Sequence, residues 1–147
     1  MAIASRRVET VWEGSLATGQ GVLHGQSGAL DGLPVTWAAR TEQPGGKTSP
    51  EELAAAAHSS CFAMALGVRL AEHGVEARRL SIAAVVTLDE VDGVPTVVSS
   101  ELDVRGEVPG LDAERFGAIV DEAAQLCPIS RLFTGAEVSV RAEFEGG

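Results

Sequence analysis

Cysteine is the side chain that serves as nucleophile, metal ligand or two-electron reductant, and the 147 residues hold only Cys61 and Cys127. Taken singly, each reads as a small buried hydrophobe on the apolar face of a helix. Taken together they allow more. If their helices pack side by side, the Cα atoms can approach within about 7 Å, the limit for a disulfide. A reversible Cys61–Cys127 bridge is then geometrically possible.

A thiol in apolar surroundings is a poor nucleophile, because burial raises its pKa; reactivity needs a cation beside it. An arginine inside a protein in turn needs a carboxylate. Arg40, ahead of the loop EQPGGKTS (42–49), and Glu51, just beyond that loop, are the candidates. The bland alternative is that Arg40 is a solvated charge and Glu51 merely favours a helix start. Ten residues of straight helix extend about 15 Å, so Glu51 cannot lie beside Cys61 of its own chain if both are helical. Two copies of the helix crossing antiparallel near residue 56 bring Glu51 of one level with Cys61 of the other, and Ala54–Ala57 permits close approach. An Arg–Glu–Cys cluster therefore requires a twofold dimer with composite sites.

His58 opens two rival chemistries. With Cys61 at i+3, and Cys127 as a third ligand, it offers a zinc site, although no CxxC or HExxH pattern accompanies it. As a base for Cys61 it offers a hydrolase or acyl-transferase, although no third, orienting group is evident.

The elements that position these residues follow from the pattern. Strands are expected at Arg7–Trp12, across the glycine-punctuated stretch after it, and at Leu33–Ala39, giving an N-terminal β-meander. Ser49 (N-cap), Pro50 (first position) and Glu52 (three after the cap) open a long helix to His73, with Gly74 as the C′ residue. Within it Leu53, Ala57, Cys61, Met64, Ala65 and Val68 form one apolar stripe, read as the buried face. Leu80–Val91 and Thr96–Val104 flank Asp92-Gly93, a strong hairpin cue. Asp112 caps a second helix carrying Phe116, Ile119, Val120, Ala123 and Cys127, and Pro128 ends it or starts a short turn. Residues 136–145 alternate as a half-buried strand whose Glu137, Glu143 and Glu145 face water. Strands and helices segregate without a βαβ rhythm, so the class is α+β.

Composition narrows the function. A chain of this length fits one domain, 1–147, and 45% apolar against 22% charged residues is ordinary globular usage. The net charge of −10 opposes a nucleic-acid or membrane-surface role, and the absence of tyrosine excludes tyrosyl chemistry. The apolar run Leu53–Leu70 is broken by His58, Ser59, Ser60 and Arg69, which a membrane span does not readily carry. With no secretory signal pattern at Met1–Thr10, a cytoplasmic location and reduced thiols are expected.

The segment TSPEELAAAAHSSCFAMAL (48–66) resembles the signature helix of the OsmC/Ohr family, the osmotically inducible protein C and organic hydroperoxide resistance proteins. CPISR (127–131) resembles the family's second cysteine motif and TGQGVL (18–23) its amino-terminal turn, while the linker from Arg40 to Ser49 is more similar to the OsmC branch. The resemblance implies an intertwined α+β homodimer that reduces organic hydroperoxides to alcohols, and hydrogen peroxide less well. It implies Cys61 as the peroxidatic cysteine, Cys127 as the resolving one, Arg40 as the activating arginine and Glu51 as its partner. No cofactor is implied; the reductant is an external dithiol of the lipoyl type. Ser49 stands where Asn is common, and Thr41 where phenylalanine is frequent, which alters the wall of the substrate channel. A family member that binds an apolar ligand or senses peroxide without turnover is the alternative.

Overall fold

The computed structural model describes residues 1–147. They divide into two compact units, Met1–Leu53 and Ala54–Gly147.

In the first unit β1 (Val8–Glu13), β2 (Gln20–Gly25) and β3 (Pro34–Val35) form the expected antiparallel meander. The pairing runs from Val8 opposite Gly25 to Glu13 opposite Gln20. The third strand stops far earlier than the alternation suggests. Thr36 adopts an extended conformation and its Oγ1 accepts from the Ala39 amide at 3.1 Å, capping a short helix α1 (Trp37–Thr41). Arg40 thus stands in the last turn of a helix rather than at a strand end. A capping threonine ahead of two alanines overrides the strand-like look of Leu33–Ala39.

Helix α2 (Pro50–Glu72) begins in the first unit and continues through the second. Ser49 Oγ accepts from the Glu52 amide at 3.2 Å, half of a capping box. The other half is missing, because the Glu52 carboxylate takes the Thr48 hydroxyl. Gly74, at φ +76°, supplies the left-handed stop. By length and composition α2 would suffice to cross a bilayer, with a mean hydropathy of 1.3 over its best window. Its buried positions are His58, Phe62, Leu66 and Leu70, a stripe one position removed from the anticipated one. Met64 and Val68 stay 73% and 57% exposed. Both stripes are apolar, so hydrophobicity alone did not rank them; the buried one carries the larger side chains.

In the second unit β4 (Arg79–Val91) and β5 (Val94–Glu107) form the hairpin, with Asp92 and Gly93 both at positive φ (51° and 79°), as a type I′ turn demands. Asp112 Oδ1 accepts from the Arg115 amide at 2.8 Å and caps α3 (Ala113–Leu126). Pro128 then starts α4 (Pro128–Leu132). The final strand β6 (Glu137–Phe144) joins β5 in parallel, Ser99 opposite Glu137 through Gly106 opposite Phe144. The α3–α4 segment is therefore a crossover between parallel strands, the βαβ step that strand order alone did not reveal; the α+β class stands.

The core of this unit joins Phe62, Leu66 and Leu70 of α2 to Leu102 and Val104 of β5, Val108 just beyond it, and Phe116, Ile119, Val120 and Ala123 of α3. Gly106 admits the Phe116 ring onto β5, since a Cβ there would lie 2.4 Å from its Cζ. Cys127, fully buried, closes the cluster at the end of α3.

Candidate active site

In the first unit the backbone delivers Arg40 to Glu51. Thr48 N donates to Pro34 O at 2.9 Å, and Val35 bridges Thr48, so the segment carrying α1 is closed into a loop next to the start of α2. Arg40 Nε and Nη2 then donate to the two Glu51 oxygens at 2.9 and 3.0 Å, a fork-to-fork pair. The side chains are 28% and 13% exposed. Such two-point bonding in partial shelter fixes the guanidinium more firmly than a surface ion pair would. Trp37, one turn earlier, lies under it, with Arg40 Cζ 5.9 Å from the ring centroid. The pairing of Arg40 with Glu51 matches the sequence expectation; the indole was not foreseen.

In the second unit the two cysteines meet. Both are free thiols, Cys61 partly buried and Cys127 buried. Burial pushes the Cys61 thiol above an ordinary cysteine and the neighbouring Cys127 adds to the rise, against a lowering hydrogen bond from the Ile129 backbone. No cation figures among these causes. Cys61 with Met64, Ala65, Val68 and Arg69 forms one wall of a groove of ≈ 380 Å³, and Leu126 with Pro128 forms the other. Cys61, Met64, Ala65 and Val68 of the stripe expected to be buried line this groove, Cys61 and Ala65 also packing against the core. Cys61 is thereby reachable while remaining in apolar surroundings.

His58 has no spare nitrogen for either rival chemistry. Nδ1 lies 2.6 Å from Ser100 Oγ and Nε2 2.7 Å from Ser130 Oγ. One ring nitrogen donates to a serine and the other accepts from the second, so the neutral imidazole is fully used. The Phe133 ring packs at 5.1 Å. No group of three metal-binding side chains is assembled anywhere in the chain. What His58 does is tie α2 to β5 and to α4, the turn that follows Cys127.

Burial also lowers the His58 pKa. The unfolded chain therefore takes up its proton first as pH falls, and folding stability should decline as pH drops below about 6.5 towards the lower folded value. His58→Gln should remove that acid-side slope in urea melts at several pH values, whereas an unchanged slope would assign it to other groups. His58→Ala, leaving a cavity and two stranded hydroxyls, should cost about 3 kcal/mol.

A known family model, described as OsmC-like protein, matches residues 43–143, a span that holds both cysteines. The chain belongs to the OsmC family. It is 37% identical over 129 residues to the peroxiredoxin OsmC of Escherichia coli K12, covering 88% of this chain and 89% of that protein. It is 31% identical over 94 residues to the organic hydroperoxide resistance protein of Xanthomonas axonopodis pv. citri, covering 62% and 63% respectively. The crystal structure of OhrB, the organic hydroperoxide resistance protein of Bacillus subtilis, superposes with a TM-score of 0.75 at 28% identity, over 97% of this chain and 100% of that one. The higher identity to OsmC agrees with the OsmC-like linker between Arg40 and Ser49. Within the OsmC fold, the two cysteines share one unit while the Arg40–Glu51 pair is assembled in the other.

Proposed function

We propose that this OsmC-family protein, a single functional domain over 1–147, is a cytoplasmic two-cysteine peroxidase that reduces organic hydroperoxides, and hydrogen peroxide less efficiently. Relatives bearing the names peroxiredoxin and organic hydroperoxide resistance protein support a peroxide-directed redox activity. The observation that carries the finer reading is Cys61 on an apolar groove with the Cys127 thiol beside it.

The Cys61 thiolate attacks the outer peroxide oxygen, the O–O bond breaks, and the alkoxide leaves with a proton as an alcohol, leaving Cys61 as a sulfenic acid. The Cys127 thiol condenses with it, forming the disulfide and releasing water. A dithiol of the lipoyl type returns two electrons and two protons by exchange. No metal or organic cofactor takes part. An apolar groove gains about 25 cal/mol per Å² of hydrocarbon it covers, which favours organic over hydrogen peroxide. The missing cation comes from a homodimer in which Arg40, held by Glu51 of one chain, faces Cys61 of the other. Thr41, exposed beside Arg40, contributes no apolar wall.

Mass spectrometry of reduced protein treated with cumene hydroperoxide should show a loss of two hydrogen atoms, reversed by dihydrolipoamide. Cys127→Ser should instead gain one oxygen and, with excess peroxide, proceed to the sulfinic acid; a reversible loss of two hydrogen atoms in that variant would exclude Cys127 as the resolving thiol. The raised Cys61 pKa favours a second reading, an apolar-ligand binder or peroxide sensor without turnover. A single oxidation that no dithiol reverses would select it.

A further inference from the structure

The groove that begins at Cys61 ends at Arg69, two helical turns or about 12 Å further along α2. An arginine at the end of an apolar slot normally suggests capture of a carboxylate. Here the guanidinium is already taken. Nε donates to Glu122 Oε2 at 3.0 Å, Nη2 forms an ion pair with the same oxygen at 2.9 Å, and Nη1 pairs with Glu72. His73 Nε2 also approaches both Glu122 oxygens, at 3.2 and 3.1 Å. Arg69 thus meets two carboxylates, Glu122 and Glu72. Bonds from His73 and Arg69 hold Glu122 below the usual carboxylate range, so it stays ionised at neutral pH. What Arg69 presents to the groove is its hydrocarbon stem, continuous with Val68 and Met64.

From this arrangement we propose that the groove takes hydroperoxides whose far end is uncharged (alkyl, aryl or esterified acyl chains) and that the Arg69–Glu122 pair is a specificity determinant that turns away a free carboxylate. A free acid reaching the end of the slot meets a guanidinium already paired with two carboxylates, and so two like charges. An ester or hydrocarbon terminus loses nothing there. The inference rests on the reading that the substrate reaches Cys61 along this groove, and it specifies which substrates do so.

The test reads occupancy rather than turnover. Reduced protein is alkylated at Cys61 with N-ethylmaleimide in the presence of octanoate or methyl octanoate, and the concentration of each that halves the rate is measured. In the unaltered protein the ester should protect at the lower concentration. Because the ester is also the more apolar ligand, the decisive quantity is the change on Glu122→Gln. Freeing the guanidinium should improve octanoate relative to the ester by about fivefold, the scale of one partly exposed ion pair. An octanoate-to-ester ratio unaltered by E122Q would overturn the proposal. Should E122Q lose its helical circular dichroism, Glu72→Gln frees the same guanidinium from its more exposed side and carries the same comparison. Failure of cumene hydroperoxide to oxidise Cys61 would sink the peroxidase reading while leaving this protection result decisive for the groove.

Discussion

Cys61→Ser should bring cumene hydroperoxide consumption down to the level of buffer and abolish the mass loss of two hydrogen atoms. A serine hydroxyl ionises far outside the physiological range and has no redox chemistry to offer the peroxide. The change itself is mild. Cys61 is only partly buried, and serine keeps its size, so denaturant melts should shift by no more than about 1 kcal/mol. Loss of turnover with retained stability therefore reports chemistry rather than folding. Residual activity above about a tenth of the original would mean that another group does the work.

Arg40→Ala should produce the second large effect. In a single chain, burial and Cys127 raise the Cys61 pKa without any compensating cation. Removing the guanidinium should leave the thiol in that state, slowing the reaction with peroxide at pH 7 by about 10²–10³-fold. Thiolate content grows with pH, so the variant's rate should climb with alkali through a range in which the unaltered protein has already levelled off. An unchanged rate would remove Arg40 from the mechanism. Mixing the two inactive variants tests the composite arrangement as well. A heterodimer of Arg40→Ala and Cys61→Ser chains rebuilds one intact site from the arginine of one and the cysteine of the other. Equimolar exchange should thus recover about a quarter of the original activity, whereas sites contained within one chain recover none.

Much of this organisation could be read in the residues. Ser49-Pro50 and Gly74 bracket α2, Asp92-Gly93 marks the hairpin, and Asp112 opens α3, because caps and tight turns are local problems with few chemical solutions. The pairing of Arg40 with Glu51 was legible for a related reason, since a sheltered guanidinium must find a carboxylate. Features decided by packing were not. Which of two apolar stripes on α2 enters the core depends on side-chain volume against β5 and α3. That choice turned Met64 and Val68 outward into a groove. The capped turn at Thr36 lies in a run that alternates like a strand, so the wrong periodicity prevailed there. The His58 bridge joins residues 42 and 72 positions away, and nothing local announces such partners.

The parallel docking of β6 against β5 also bears on when this chain becomes competent during synthesis. The hairpin of β4 and β5 can zip as soon as it emerges, but β6 finds its place only after α3 and α4 have crossed over to deliver it. Cys127 rides on that crossover. On a ribosome Cys61 therefore emerges well before Cys127 is seated beside it. Assembly order, set by the direction of one strand, makes completion of the carboxyl-terminal segment the step that brings the two thiols together.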